Sequence, residues 1–299
     1  MSSRPLIRIP QMRAAAGQAP RAADLTELLD FVRAHPRLLV LTGAGLSTNS
    51  GIPAYRDADG RWLRRDPILY QDFVASERMR RRYWARSFFG WPEMRSASFN
   101  GAHQALVRLE QAGRVELLVT QNVDGLHSRA GSRRLVEIHG RLSEVSCMAC
   151  GQKVDRDALQ LRLRALNPDW RAEVLGFNPD GDAELDSSAY PGFQVAACER
   201  CDGPLKPEVV FFGESVPAER VAAIRAALSR SDAVLVLGSS LVVMSGYRIV
   251  REAVGSGLPI AAVNRGRTRA DDLLSFKLDA DCGEVLEQVA NAFAMEPLG

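Results

Sequence analysis

Residues 38–57 read LLVLTGAGLSTNSGIPAYRD. Four aliphatic residues, 38–41, run into a turn of Gly43, Ala44 and Gly45, and small polar residues follow as far as Gly51, Ile52, Pro53 and Arg56. A buried strand that breaks at glycines brings backbone N–H groups close to a phosphate. The turn departs from the dinucleotide fingerprint G-x-G-x-x-G, because Thr48 stands where the third glycine belongs. No strand offers the acidic ribose ligand expected about 20 residues later. Ordinary hydride transfer is therefore disfavoured, and taken alone the turn also fits a strand-to-helix connection that holds no ligand.

Three later strand ends change the weighting. Gln121, Asn122 and Asp124 follow a predicted strand at 115–119, Gly238, Ser239 and Ser240 follow one at 233–237, and Asn264, Arg265 and Gly266 follow one at 259–263. Open α/β sheets bind ligands at the carboxyl ends of their strands. Several such ends converging on one crevice suit a long polar ligand such as a dinucleotide. Between the strands lie helical patterns at 24–34, with Asp24 as N-cap, and at 102–112, 217–229, 246–254 and 284–293. The alternation predicts an α/β fold, a Rossmann-like doubly wound parallel sheet.

The remaining segments interrupt this pattern. Residues 57–99 are rich in arginine and aromatics and read as a helical insertion covering the glycine turn. Cys147, Cys150, Cys198 and Cys201 form two C-x-x-C pairs, and Cys282 stands alone. Two tight thiol pairs with no export signal favour metal over disulfides, and four thiolates make a closed, structural zinc site rather than a catalytic one. The gap from Cys150 to Cys198 exceeds the ~15 to 20 residues of a compact ribbon. It contains a helix candidate at 157–166 and a loop at 167–192 rich in Asn, Pro, Asp and Gly. The expected organisation is an extension at 1–22, a Rossmann-like dinucleotide-binding domain from 23–56, 100–141 and 206–299, and a smaller zinc-binding and helical domain from 57–99 and 142–205.

The chain of 299 residues, 46% hydrophobic with a net charge of +2, can bury a large core. It is too balanced to predict a nucleic-acid or membrane surface. Its Arg-rich start lacks a signal-peptide core, and three prolines there argue against an amphipathic transit helix. Cytoplasmic residence is expected, or the mitochondrial matrix if the source is eukaryotic. There are four histidines. His35 and His103 read as surface or packing residues, and His127 as one that orients its neighbours. His139 ends an alternating segment, where its ring can act as a general base or fill a structural role. No G-x-S-x-G elbow supports a serine hydrolase.

The ordered set GAGLSTNSGIPAYRD, TQNVDGLH, EIHG, two C-x-x-C pairs, VVFFGE, GSSL and VNRG resembles the sirtuin family of NAD-dependent protein deacylases. The likeness runs from about residue 24 to 293. RRYWARSFFGWPE, AGSRRLVEIHG, LNPDW, NPDGDAEL, LKPEVVFFGE and SGYR look most like the class II branch, that of mitochondrial sirtuin four. The resemblance implies that NAD lies between the two domains. Gly43, Ala44, Gly45 and Ser47 would approach the pyrophosphate, with Tyr55 and Arg56 in a mobile cofactor loop. Gln121, Asn122 and Asp124 would surround the nicotinamide ribose and carboxamide. Gly238, Ser239, Ser240, Asn264, Arg265, Gly266 and Cys282 would hold the adenosine half, although Cys282 reads equally as a small buried apolar residue.

His139 and Asn122 would be catalytic. The acyl oxygen of an acyl-lysine would attack the anomeric carbon, nicotinamide would leave, and His139 would take a ribose hydroxyl proton, giving lysine and O-acyl-ADP-ribose. The acyl-lysine would thread between a strand holding Val210, Phe211, Phe212, Gly213 and Glu214 and the segment of Leu241 and Val243, by strand addition. Ala54 and Tyr55 depart from the acidic residue and Phe that often follow Gly-Ile-Pro in the family. Tyr83 and Arg86 resemble a Tyr-x-x-Arg pair that receives acidic acyl groups in another class; an amphipathic helix with its arginines facing water is the preferred reading. The expected partners are acylated protein lysines, with no direct nucleic acid, no membrane and a monomer by default. Competing functions are protein mono-ADP-ribosyl transfer, removal of lipoyl or other long acyl groups, and an NAD-sensing module without turnover.

Overall fold

The computed structural model of the chain describes residues 19–55 and 67–294. Asp24 caps helix α1 (Leu25–Ala34), its carboxylate accepting from the Glu27 amide at 3.0 Å. Strand β1 (Leu38–Thr42) follows, then α2 (Tyr70–Ala75) and α3 (Glu77–Ser96). Asn100 and His103 form a reciprocal capping box on α4 (Gly101–Gln111). The chain continues through β2 (Val115–Thr120), α5 (Leu126–Ala130) and β3 (Leu135–Glu137). Next come β4 (Gly140–Cys147), β5 (Lys153–Asp155), α6 (Arg156–Leu166), β6 (Val174–Phe177), β7 (Ala183–Leu185) and β8 (Leu205–Val209). The last third holds α7 (Ala218–Leu228), β9 (Ala233–Leu237), α8 (Met244–Gly255), β10 (Ile260–Val263), β11 (Phe276–Leu278) and α9 (Cys282–Ala294).

Six strands form one parallel sheet in the order β11-β10-β9-β1-β2-β3. Its strands are buried on both faces, and the two-residue period sorts their side chains into two cores. Leu38, Val40, Leu235 and Val263 face α1, α4 and α9. Leu39, Leu41, Val234 and Val236 face α7 and α8. The register sets Thr42 beside Thr120 and Leu237, and Leu237 beside Val263. Four strand ends therefore lie level, on either side of the point where the winding reverses between β1 and β9. This is the Rossmann-like arrangement expected. Among the described residues no helix is long and apolar enough to cross a membrane.

The cysteine module is a three-stranded antiparallel sheet, β5-β4-β8, with a hairpin of β6 and β7. Phe73, Tyr83 and Trp84 of the two inserted helices pack with Cys147, Cys198, Leu159 and Phe193 in its core. The insertion thus lies mainly on this module, and only the last turns of α3, through Trp91 and Met94, reach Ile52 beside the glycine turn. Pro92 inside α3 leaves the Phe88 carbonyl without its helical donor. Gln160 of α6 supplies one, its Nε2 donating at 2.8 Å.

Two expectations are corrected here. The strand predicted to run through Glu214 ends at Val209. Beyond it, Val210 donates to the His139 carbonyl, and Phe211 and Glu214 close a turn around Gly213 (φ 85°). Arg86 does not face water: it is buried and pairs with Asp182 at 2.9 Å, both side chains 5% exposed. Its Nε donates to the Ala183 carbonyl. Arg56 and positions 57–66 of the insertion lie outside the described residues, as do positions 1–18 of the extension.

Candidate active site and metal centre

The level strand ends open into a cavity of about 1030 Å³. Its back wall is main chain. The amides of Gly43 and Gly45 donate to the Leu237 and Gly238 carbonyls at 3.1 and 2.9 Å. A Cβ on Gly43 would stand 2.8 Å from the Gly238 oxygen, and one on Gly238 (φ 58°) would stand 2.6 Å from the Leu46 amide. The glycines are needed because the turns after β1 and β9 touch backbone to backbone. This corrects the simple phosphate-loop expectation: the two glycine N–H groups bind the neighbouring turn, while Gly43, Ala44 and Gly45 still line the cavity.

The turn after β2 is braced in the same way. Gln121 Nε2 donates to the Thr42 carbonyl at 3.2 Å and to Ser239 Oγ at 2.8 Å. Asn122 Nδ2 reaches the Gly43 carbonyl and Ser47 Oγ, and Ser47 in turn donates to Asp124 at 2.8 Å. Gln121, Asn122, Gly238, Ser239, Ser240, Asn264, Arg265, Cys282 and Tyr55 line the cavity. Ser47, Asp124 and Gly266 do not. Burial lifts the Asp124 carboxyl above the usual range, against donors from Leu126 and Ser47. The Cys282 thiol, pushed up to about 12 by burial, donates to the Val263 carbonyl.

His139 sits between β3 and β4 and faces the same cavity. Its Nδ1 lies 2.9 Å from the Gln121 carbonyl and its Nε2 2.7 Å from Ser245 Oγ. Burial holds its pKa below the ordinary histidine value, against the Gln121 carbonyl, which favours the charged form. His103 and His127 are buried instead, 4.7 Å apart, with His127 Nε2 against Thr42 Oγ1. Val210, Phe211, Phe212, Gly213 and Glu214 line the cavity with His139, as do Leu241 and Val243. Leu241 holds the left-handed conformation (φ 55°), a strained state kept in place by its burial.

Asp180 and Asp182 were missed as cavity residues, and Tyr83 was not among the expected site residues. The signal for the first two is the turn Asn178-Pro179-Asp180-Gly181 between two apolar runs, which reads as a hairpin within the supposed loop. Burial, followed by the neighbouring Asp182 charge, raises the Asp180 carboxyl well above the usual range.

The four paired cysteines come together. All Sγ atoms lie within 4.8 Å of one another, with Cys147 to Cys201 at 3.5 Å and Cys150 to Cys198 at 3.8 Å. Zinc–sulfur bonds of about 2.3 Å set tetrahedral sulfur spacings of about 3.8 Å. Each pair sits on the same knuckle. Gly151 donates to the Cys147 carbonyl and Asp202 to that of Cys198, both with positive φ. Four thiols at these spacings suit one structural zinc.

The chain matches the Sir2 family over residues 43–245. It is 53% identical over 271 residues to an NAD-dependent protein deacetylase of Bordetella bronchiseptica, spanning 91% of this chain and 99% of that protein. It is 50% identical to the mitochondrial NAD-dependent protein lipoamidase sirtuin-4 of Bos taurus, over 87% of this chain and 84% of the other. Among solved structures, a Sir2 protein with p53 peptide and NAD+ is similar with a TM-score of 0.73 and 29% identity, over 92% of this chain and all of that one. A Sir2 homologue in complex with NAD matches with a TM-score of 0.70 and 26% identity, over 93% and 97%. This chain belongs to the Sir2 family, the sirtuins.

Proposed function

We propose that this chain is an NAD-dependent protein-lysine deacylase that acts on acylated lysines of proteins. The observation that carries the reading is His139: a half-buried imidazole, its pKa held below the ordinary histidine value, lining the cavity that the ends of β1, β2, β9 and β10 share. NAD supplies an electrophilic ribose carbon, to which the acyl oxygen is transferred as nicotinamide departs. The turns after β1 and β9 and the Asn264–Arg265 turn cradle the dinucleotide. Gln121 and Asn122 sit where a nicotinamide ribose can be held, and His139 Nε2 accepts a proton from a ribose hydroxyl. Because its pKa is lowered, the base stays neutral below the ordinary histidine range. Activity should therefore persist at mildly acidic pH before its acid limb.

The extended residues around Phe212 and Val243 offer a slot for a peptide backbone. Arg86 is committed to Asp182, so the wall near Tyr83 presents carboxyl groups rather than a cation. This reading favours uncharged acyl groups over succinyl or glutaryl, and cytoplasmic residence is part of it. The test is a panel of acetyl-, lipoyl-, succinyl- and glutaryl-lysine peptides with NAD, followed by mass spectrometry. Nicotinamide and an O-acyl-ADP-ribose should form only with acyl peptide, and His139→Ala should lower turnover by at least about a thousandfold. Labelling of target protein with ADP-ribose in place of deacylation would favour the transferase reading.

A further inference from the structure

The imidazole of His139 is held at both nitrogens. The Gln121 carbonyl can only accept, so Nδ1 carries the proton and Nε2 presents a lone pair. With that tautomer the Ser245 hydroxyl, 2.7 Å from Nε2, is the donor. Both partners are themselves fixed. Gln121 is tied through its Nε2 to Thr42 and Ser239. Ser245 lies in the first turn of α8, which approaches Gln121 so closely that a Cβ on Gly246 would stand 2.5 Å from Gln121 Oε1. Gly246 thus lets one short segment, Ser245 and Gly246, meet the same residue that fixes the other side of the ring.

We propose that Ser245 is a positioning residue for His139, holding the imidazole plane and occupying the Nε2 lone pair until a ribose hydroxyl takes its place as donor. The inference rests on the reading of His139 as the base. The incoming hydroxyl exchanges with the serine along one lone-pair direction, so the ring need not turn. The proton then passes from ribose oxygen to Nε2, and the Ser245 O–H turns towards the cavity. The charge that acts on the ring, Arg220 of α7, which donates to the Ile138 carbonyl, is unchanged by this exchange, as are Glu214, Arg248, Asp180 and Asp182 elsewhere in the cavity lining.

The test compares Ser245→Ala and Ser245→Thr with the parent protein by two readouts. One is NMR titration of the histidine rings, of which there are four. The other is the pH profile of kcat/KM for an acyl peptide. A donor to Nε2 stabilises the neutral ring, so its removal raises the His139 pKa. A net hydrogen bond is worth about a factor of five to ten, so the titration and the acid limb should both move up by roughly 0.7 to 1 pH unit in the alanine variant. Because the ribose hydroxyl displaces Ser245 in the complex, kcat/KM should fall about three- to tenfold while kcat changes less. Threonine keeps the hydroxyl and should restore both readouts. The proposal is overturned if alanine leaves the His139 titration unmoved, or if threonine is as impaired as alanine. Should the parent protein deacylate nothing while its titration still responds to Ser245→Ala, the proposed function fails and the contact stands.

Discussion

Around β1 and β9 the interior is aliphatic and held by a parallel ladder, whereas around Cys147 and Cys198 it is made of thiols, aromatic rings and a buried ion pair. The first region is held chiefly by non-polar burial. The second has short strands, of three residues in β5 and β7, and a polar interior. Its order depends on specific partners: four sulfurs on one ion, Arg86 on Asp182, Gln160 on the carbonyl that Pro92 orphans. The contrast places robustness in the half built on the parallel sheet and conditional order in the half built on the cysteines.

Removing the metal should divide the halves most sharply. Structural zinc contributes on the order of 10 kcal/mol to small domains built around it. Chelation, or Cys198→Ser, should speed hydrogen exchange strongly in β4, β5 and β8 and leave β1 and β9 protected. Equal loss of protection in both sheets would erase the distinction. Next in size is the ion pair. Arg86→Met leaves the Asp182 carboxylate buried with no counter-charge, the Asn178 amide still donating to it, and should cost about 3 kcal/mol in denaturant unfolding. Pairing it with Asp182→Leu should recover most of that loss, and no recovery would show that the two act independently.

The smallest effect belongs to the aliphatic half. Burial pushes His103 down to about 4 from 6.5. The unfolded chain therefore takes up a proton that the folded one refuses, so stability is full above pH 6.5 and declines as pH falls towards 4. The loss from His103 alone should be about 2 kcal/mol between pH 6.5 and 5. His103→Gln, which can keep the capping box, should flatten that slope in urea melts at a series of pH values.

The same contrast explains what could be read in advance. β1, β9 and β10 were legible because strands buried on both faces are uniformly aliphatic, and the zinc ligands because each pair is local in sequence. Gly43 and Gly45 were recognised as a turn, but their partner is the turn at Gly238, brought near only by folding. Arg86 was misread as solvated because Asp182 lies 96 positions away, in a segment taken for irregular loop. Ser245 entered only as the first residue of the SGYR motif, with no role attached: a lone serine opening a helix acquires its meaning from an imidazole 106 positions earlier.

The backbone contact of Gly43, Gly45 and Gly238 divides the cavity by what can be altered. Where two main chains touch, there is no side chain to exchange, and any substituent pushes the turns apart. That part of the wall has little room for substitution. Another part of the lining, from Tyr83, Asp180 and Asp182, is drawn by side chains on a helix and a hairpin outside the main sheet. One cofactor can thus stay invariant while the chemistry elsewhere in the cavity is free to diverge, so relatives of this chain should differ in what they remove from lysine far more than in what they consume to do it.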